Sequence, residues 1–170
     1  MKIHIIGGSG SGKTYLANRL SQKYGVPHDD LDDLFWKNTA NQYGVKMPRE
    51  KRDQFLKEIL KRKDWIIEGV YHAWVHESFE KADTIIVLDF PVGICKFRVL
   101  IRFLKRKMGI EHGKKETIKS LAGLLKWTDQ YQKEDLPKIY ATLKNHSQKT
   151  VVLHTKREEA DFIKHFSQYG

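Results

Sequence analysis

The stretch from Lys2 to Thr14 constrains this chain more than any other. Ile3, Ile5 and Ile6 make a short β-branched apolar run, which reads as a buried strand. Gly7, Gly8, Ser9, Gly10, Ser11, Gly12, Lys13 and Thr14 follow as G-x-x-x-x-G-K-[ST], and Tyr15 to Tyr24 has helical composition. Glycines let backbone N–H groups turn inward around phosphate oxygens, and the start of a helix adds its dipole. Lys13 is placed to reach β- and γ-phosphates, and the Thr14 hydroxyl to bind Mg²⁺. A glycine-rich turn with a chance Lys-Thr would need neither flank. Gly7 to Thr14 are therefore expected to bind a nucleoside triphosphate.

Length and charge narrow the setting. At 170 residues the chain reads as one domain over residues 1–170, long enough for a single three-layer core. The lone Cys95 excludes an internal disulfide and fits a reducing cytoplasm, the expected location. No apolar run approaches a membrane span, so no membrane partner is expected. The start Met-Lys-Ile-His reads as a strand, with too short an apolar stretch for a secretion signal. A formal charge of +10 favours polyanions: nucleotides, nucleic acid, or solvation alone.

Further along, Val26 to Leu31 reads as a second strand inside an acidic knot of Asp29, Asp30, Asp32 and Asp33. Asp32 and Asp33 would lie near the carboxyl end of that strand, where ligands of a parallel sheet collect. Lys37 to Met47 reads as a loop, and Pro48 opens a helix with Phe55, Leu56, Ile59 and Leu60 on one face. Asp64 to Gly69 reads as a third strand ending in a carboxylate and a glycine, Glu68-Gly69. Tyr71 to Lys81 reads as a helix or an irregular segment, and Ala82 to Asp89 as the clearest strand. Ile94, Phe97, Ile101, Leu104 and Met108 recur at three- and four-residue steps, which predicts a long amphipathic helix. Thr117 to Trp127 and Glu134 to Lys144 read as helices around a polar joint. Thr150 to His154 is a fifth strand, and Arg157 to Tyr169 a closing helix with Phe162, Ile163 and Phe166 inward. Strands alternating with helices imply a parallel sheet covered on both faces. Residues 98–130 read as a helical lid inserted before the last strand.

An Asn-Lys-x-Asp base-reading motif is absent, and the chain is too short for a motor ATPase with its sensor elements. Small kinases remain. Glu68-Gly69 stands where adenylate kinases carry Asp-Gly, and Asp89-Phe90-Pro91 followed by Arg98 and Arg102 resembles their strand, turn and helix leading to a lid. The Asp32 region resembles the acidic site of shikimate- and gluconate-kinase-like enzymes. A closer resemblance is to the bacterial DNA topology modulation proteins (FlaR-related), which are adenylate-kinase-like P-loop NTPases. It rests on Gly7 to Thr14, Leu31 to Trp36, Trp65 to Tyr71 and Ala82 to Asp89, in the first half of the chain. Two departures stand out. Glu68 replaces the usual Asp, and the arginine that adenylate kinases place after Asp-Gly is missing from Val70-Tyr71-His72.

The fold this resemblance implies is an α/β three-layer P-loop NTPase, with five parallel strands in the order 2-3-1-4-5, flanking helices and a helical lid. It implies Glu68 as the carboxylate that holds Mg²⁺ through water, with Asp89 the alternative. Asp32 would orient or deprotonate an acceptor hydroxyl, or help hold Mg²⁺. Its bland counterpart is that Asp29, Asp30 and Asp33 are solvated and one caps a helix. Arg98, Arg102, Lys105, Arg106, Lys107, Lys114, Lys115 and Lys119 make the lid basic, opposed by Glu111 and Glu116. Arg102 and Arg106 share a helix face and are expected over the phosphates; some of the lysines are simply solvated. A nucleic-acid stripe with Trp127 and Tyr131 as stacking platforms is the third reading. Lys156 and Arg157 fall where such kinases cradle adenine. His72, His76 and Glu77 miss the order His-Glu-x-x-His, so no metal is expected there. The expected activity is Mg·ATP-dependent phosphoryl transfer to a small-molecule or nucleotide acceptor, by a monomer or dimer. The alternative is a regulatory ATP-binding protein that acts on DNA.

Overall fold

A computed structural model describes residues 1–36, 46–110 and 117–166. Five strands form one sheet: β1 (Lys2–Gly7), β2 (His28–Asp30), β3 (Trp65–Gly69), β4 (Thr84–Leu88) and β5 (Thr150–Leu153). Every pair is parallel, and the order is β2-β3-β1-β4-β5. The order expected from the sequence resemblance is the one observed. β1 lies at the centre, with Ile5 opposite Glu68 on one side and Ile86 on the other.

Apolar side chains cover both faces, as a parallel sheet requires. Ile3, Ile5, Ile66 and Ile86 face Leu16 and Leu20 of α1 (Lys13–Tyr24) and Phe162 of α8 (Lys156–His165). Ile6, Ile67, Ile85 and Val87 face the opposite layer. That layer contains Leu56 and Ile59 of α3 (Arg49–Leu60), Phe79 of α4 (His76–Lys81) and Ile139 of α7 (Leu136–Leu143). Alternation along each strand thus sends successive residues to different layers. His4 is fully buried in the centre; its ring meets the Ser78 hydroxyl at 2.7 Å and lies 4.6 Å from the Phe79 ring.

Three local expectations change. β2 is shorter than Val26–Leu31, because the Asp30 carboxylate accepts from the Asp32 N–H at 2.8 Å and starts helix α2 (Leu31–Phe35). The expected polar joint is instead helical. Thr117 and Ser120 cap α6 (Ile118–Gln130), which runs through a π-turn at Tyr131–Asp135 into α7. Pro137 has no N–H to return to the preceding turn, and the wider π-turn adjusts the ladder at that point.

The third change concerns α5 (Val92–Lys107). It is the long helix expected, but its buried line is Cys95, Val99 and Phe103. The stripe from Ile94 to Met108 turns outward, with Phe97 63% and Met108 64% exposed. This helix is apolar on two sides, so periodicity alone does not select the inner one. Val99 and Phe103 pack with Leu121 of α6, which settles it. Lys114, Lys115, Glu111 and Glu116, together with the tip of the Lys37–Met47 loop, lie outside the described residues. Among the described residues no helix is long and apolar enough to cross a membrane.

Candidate functional site

The glycine loop leaves the carboxyl end of β1 and enters α1 at Lys13. Gly10 has φ of +76°, and a β-carbon there would sit 2.3 Å from the Cys95 carbonyl oxygen. Only glycine fits such an approach. The Arg98 guanidinium lies 4.7 Å from the Phe90 ring and donates to the carbonyls of Gly10 at 3.3 Å and Ser11 at 3.0 Å. Arg98, expected as an ATP contact, therefore braces the carbonyl side of the loop. Lys13 Nζ donates to the Gly8 carbonyl at 3.1 Å, and a β-carbon on Gly8 would strike the ring of buried Tyr131 at 2.9 Å. Tyr131 and half-buried Trp127 are core side chains, their rings 5.2 Å apart, and Tyr131 is no open stacking surface.

Three carboxylates gather at the sheet edge. Glu68 is buried at the end of β3; its Oε1 accepts from the Thr14 hydroxyl at 2.5 Å, and its Oε2 lies 3.9 Å from Lys13 Nζ. Burial works to raise Glu68, but His28, Lys13 and Thr14 outweigh it and hold the carboxyl below its usual range. Asp30 stands opposite Glu68 in the β2–β3 ladder. Burial, then the charge of Glu68, push its carboxyl up to about 7. The Asp32 carboxylate accepts from the Tyr71 hydroxyl at 2.6 Å, beside the stacked rings of Phe35 and Tyr71, 4.7 Å apart. Trp74 adjoins them, with Arg52 4.2 Å from its ring.

Asp30 is the residue that sequence reasoning passed over in favour of Asp32. The available signal was its place as the last residue of a strand, directly before a short helix. Asp89 is held elsewhere, accepting from Gln132 Nε2 at 2.9 Å and the Tyr140 hydroxyl at 2.7 Å. Thr14 and Glu68 are thus brought together, while the Asp89 carboxylate is engaged by the helical segment that includes α7.

Arg102 and Arg106 are half-buried on one face of α5. Lys156 sits at the start of α8 beside the loop, whereas Arg157 is 92% exposed, its Nε 4.0 Å from Asp161. Glu159, not singled out from the sequence, is buried next to Lys156 and pairs with it.

The donor set suits a divalent cation. A hydroxyl, the buried Glu68 carboxylate and the half-buried Asp30 carboxylate, whose ionisation is opposed by burial and then by Glu68, would gain from added positive charge. Mg²⁺ keeps waters and phosphate oxygens and takes few protein ligands. Thr14, Glu68 and Asp30 supply that number. Among the described residues no three His, Cys, Asp or Glu side chains form a separate metal cage.

Residues 6–119 match the family described as AAA domain. An adenylate kinase of Clostridium kluyveri is 29% identical over 116 residues, covering 54% of this chain and 54% of that protein. The chain therefore spans about half the length of the curated relatives it matches. The crystal structure of shikimate kinase from Bacteroides thetaiotaomicron superposes with a TM-score of 0.61 at 16% identity, covering 99% of this chain and 97% of that one. A gluconokinase from Sinorhizobium meliloti gives 0.55 at 14% identity, with 98% and 93% covered. At these identities the likeness to the two crystal structures is one of fold.

Proposed function

The chain belongs to the AAA domain family as an adenylate-kinase-like P-loop protein, and from that premise we propose that it transfers the γ-phosphoryl group of ATP to a small-molecule or nucleotide acceptor with Mg²⁺. The observation that carries this reading is the 2.5 Å contact between Thr14 and Glu68, with Lys13 beside it under the glycine loop. Phosphoryl transfer needs charge neutralisation and alignment more than covalent help. Lys13 and the N–H groups of Gly8 to Thr14 take the phosphates. Thr14, Glu68 and Asp30 would hold Mg²⁺, which neutralises phosphate charge and orients the γ-group when bound. Asp32, with Tyr71 on its carboxylate, orients the acceptor hydroxyl. The acceptor oxygen joins phosphorus, the bond to ADP breaks, and the hydroxyl proton passes to a carboxylate at the sheet edge.

Residues 98–130 act as the lid of a single domain spanning 1–170, with Arg102 and Arg106 directed to the transferring group and Lys156 towards the base. The cytoplasm, as a reducing compartment, is the setting assigned to it. Within the family we place the chain beside the FlaR-related DNA topology modulation proteins. The reading as a DNA-acting ATP-binding protein rests on the charge of +10. It loses support because Tyr131 is buried and Trp127 half-buried in the core. ATP consumption measured against nucleosides, nucleotides, sugars and small acids, with and without duplex DNA, tests both. Stimulation by one small acceptor and none by DNA is expected; stimulation by DNA alone would reverse the choice.

A further inference from the structure

The outer face of α5 is apolar, and no described element covers it. At about 100° per residue, Ile94, Phe97, Ile101, Leu104 and Met108 fall in one row, opposite the buried line of Cys95, Val99 and Phe103. Ile94 is 43% and Leu104 42% exposed, beside the more open Phe97 and Met108. Single exposed apolar side chains are ordinary on a protein surface, but a row along a whole helix marks a contact face.

The charge around this row is of one sign. α5 carries Lys96, Arg98, Arg102, Lys105, Arg106 and Lys107 and no acidic residue. Lys105 falls on one margin of the row and Lys107 on the other, and both are exposed. Lys96 is engaged with Asp129 and Arg98 with the glycine loop, whereas Lys105 and Lys107 stay open to solvent. A surface that takes this face must therefore be apolar at its centre and anionic around it. Duplex DNA offers phosphates but nothing for Phe97 or Met108. A second copy would bring the lysines of two helices into one seam, with no acid on either helix to answer them. A bilayer of anionic lipid meets both demands, with acyl chains below and phosphates at the level to which lysines reach back.

We propose that α5 lays its outer face in the interface of an anionic membrane, with Phe97, Leu104 and Met108 below the headgroups and Lys105 and Lys107 at the lipid phosphates. The expected lack of a membrane partner followed from the lack of a spanning run, and a helix lying in the interface needs no such run. This reaches beyond phosphoryl transfer and does not rest on it. Arg102 and Arg106 lie on the side of α5 between the exposed row and the buried line. The face offered to lipid is thus not the one assigned to the transferring group.

The test is flotation of the intact protein with vesicles of phosphatidylcholine alone, and of phosphatidylcholine and phosphatidylglycerol in equal parts. Wild type should bind the mixed vesicles at least about 10-fold more tightly than the neutral ones, and less tightly as salt rises. Phe97→Ala/Met108→Ala should weaken that binding about 10- to 100-fold, because the inserted apolar area is lost. Lys105→Gln/Lys107→Gln should weaken it about 10- to 30-fold, the scale of two charges near an anionic surface. All four residues are exposed, so thermal melts of both variants should match wild type. Absence of wild type from the mixed vesicles would overturn the inference, and that comparison requires no variant. Binding lost with the lysines but kept in Phe97→Ala/Met108→Ala would overturn it too, reducing the face to surface charge. So would a dimer seen by light scattering without vesicles and dissolved by Phe97→Ala/Met108→Ala, which would give the face to a second copy.

Discussion

Thr14 donates its hydroxyl hydrogen to Glu68 at 2.5 Å, joining the first turn of α1 to the end of β3 across the top of β1. The two residues are far apart in sequence and meet only because β1 and β3 are neighbours. Glu68→Gln should therefore leave the fold and ATP binding in place while lowering Mg²⁺-dependent turnover by about 100-fold or more. Asp89→Asn should mainly lower the melting temperature, because it weakens acceptors used by Gln132 and Tyr140. Steady-state kinetics beside thermal melts would rank them. Greater loss of turnover in Asp89→Asn would transfer the Mg²⁺ role to Asp89.

Lys13 touches both the Gly8 carbonyl and the neighbourhood of Glu68. Lys13→Ala should leave circular dichroism unchanged and weaken ATP about 100-fold, the scale of a lost charge-assisted contact. Calorimetry showing wild-type affinity would remove the phosphate role of the loop.

Asp30 gives a pH signature. Its folded carboxyl is raised from an ordinary 3.8 to about 7, so the folded state holds that proton more tightly than the unfolded one. Its contribution is most favourable below the unfolded value and is lost as pH rises towards 7. Asp30→Asn keeps an oxygen for the cap on Asp32 and avoids the second charge beside Glu68. It should melt higher than wild type at pH 8, converge with it near pH 4, and bind Mg²⁺ more weakly. A wild-type advantage at pH 8 without Mg²⁺ would contradict this account.

His4 acts at the acid end. Burial lowers its ring to about 3, with Glu68 pulling slightly the other way. The unfolded chain takes up a proton near 6.5 and the folded chain resists it. Stability should then fall by up to about 1.4 kcal/mol per pH unit below 6.5, until the folded ring protonates near 3. Denaturant titrations of wild type and His4→Gln would show it. Equal acid sensitivity in the two proteins would place the effect in other groups.

Arg102 and Arg106 separate the lid from a DNA surface. Replacing both with Ala should reduce turnover by about 100-fold and ATP binding by no more than about threefold, since charge develops on the transferring group. Duplex binding whose salt slope drops by about one for each arginine removed, with turnover intact, would favour DNA instead.

The sheet was legible because β1, β3 and β4 are rich in isoleucine and other apolar residues and end at Gly7, Gly69 and Leu88, and the loop motif fixes where β1 stops. Lys13, Thr14 and Glu68 were legible as a set for the same reason. The bonds of Arg98 to the loop were not, because a basic residue nearly two turns into a helix looks alike whether it faces phosphate or the loop's own carbonyls. The inner face of α5 was hidden by a second apolar stripe. Asp30 depends on pairing across strands with Glu68, and Glu159, although only three residues from Lys156 on the same helix, on the approach of that helix to Gly12, which no local spacing reveals.

The central position of β1 also bears on the order in which the protein can be built. Lys2 pairs with Trp65 and Gly7 with Leu88, so β1 waits for two neighbours that both follow it in the chain. Such distant pairings close slowly, because the intervening chain must be ordered before contacts compensate. Until β3 and β4 have emerged, the Ile3–Ile6 run is an unpaired apolar edge and the phosphate cradle cannot exist. ATP therefore cannot serve as a template for the segment ahead of β4, and ligand stabilisation begins only once Leu88 has been made.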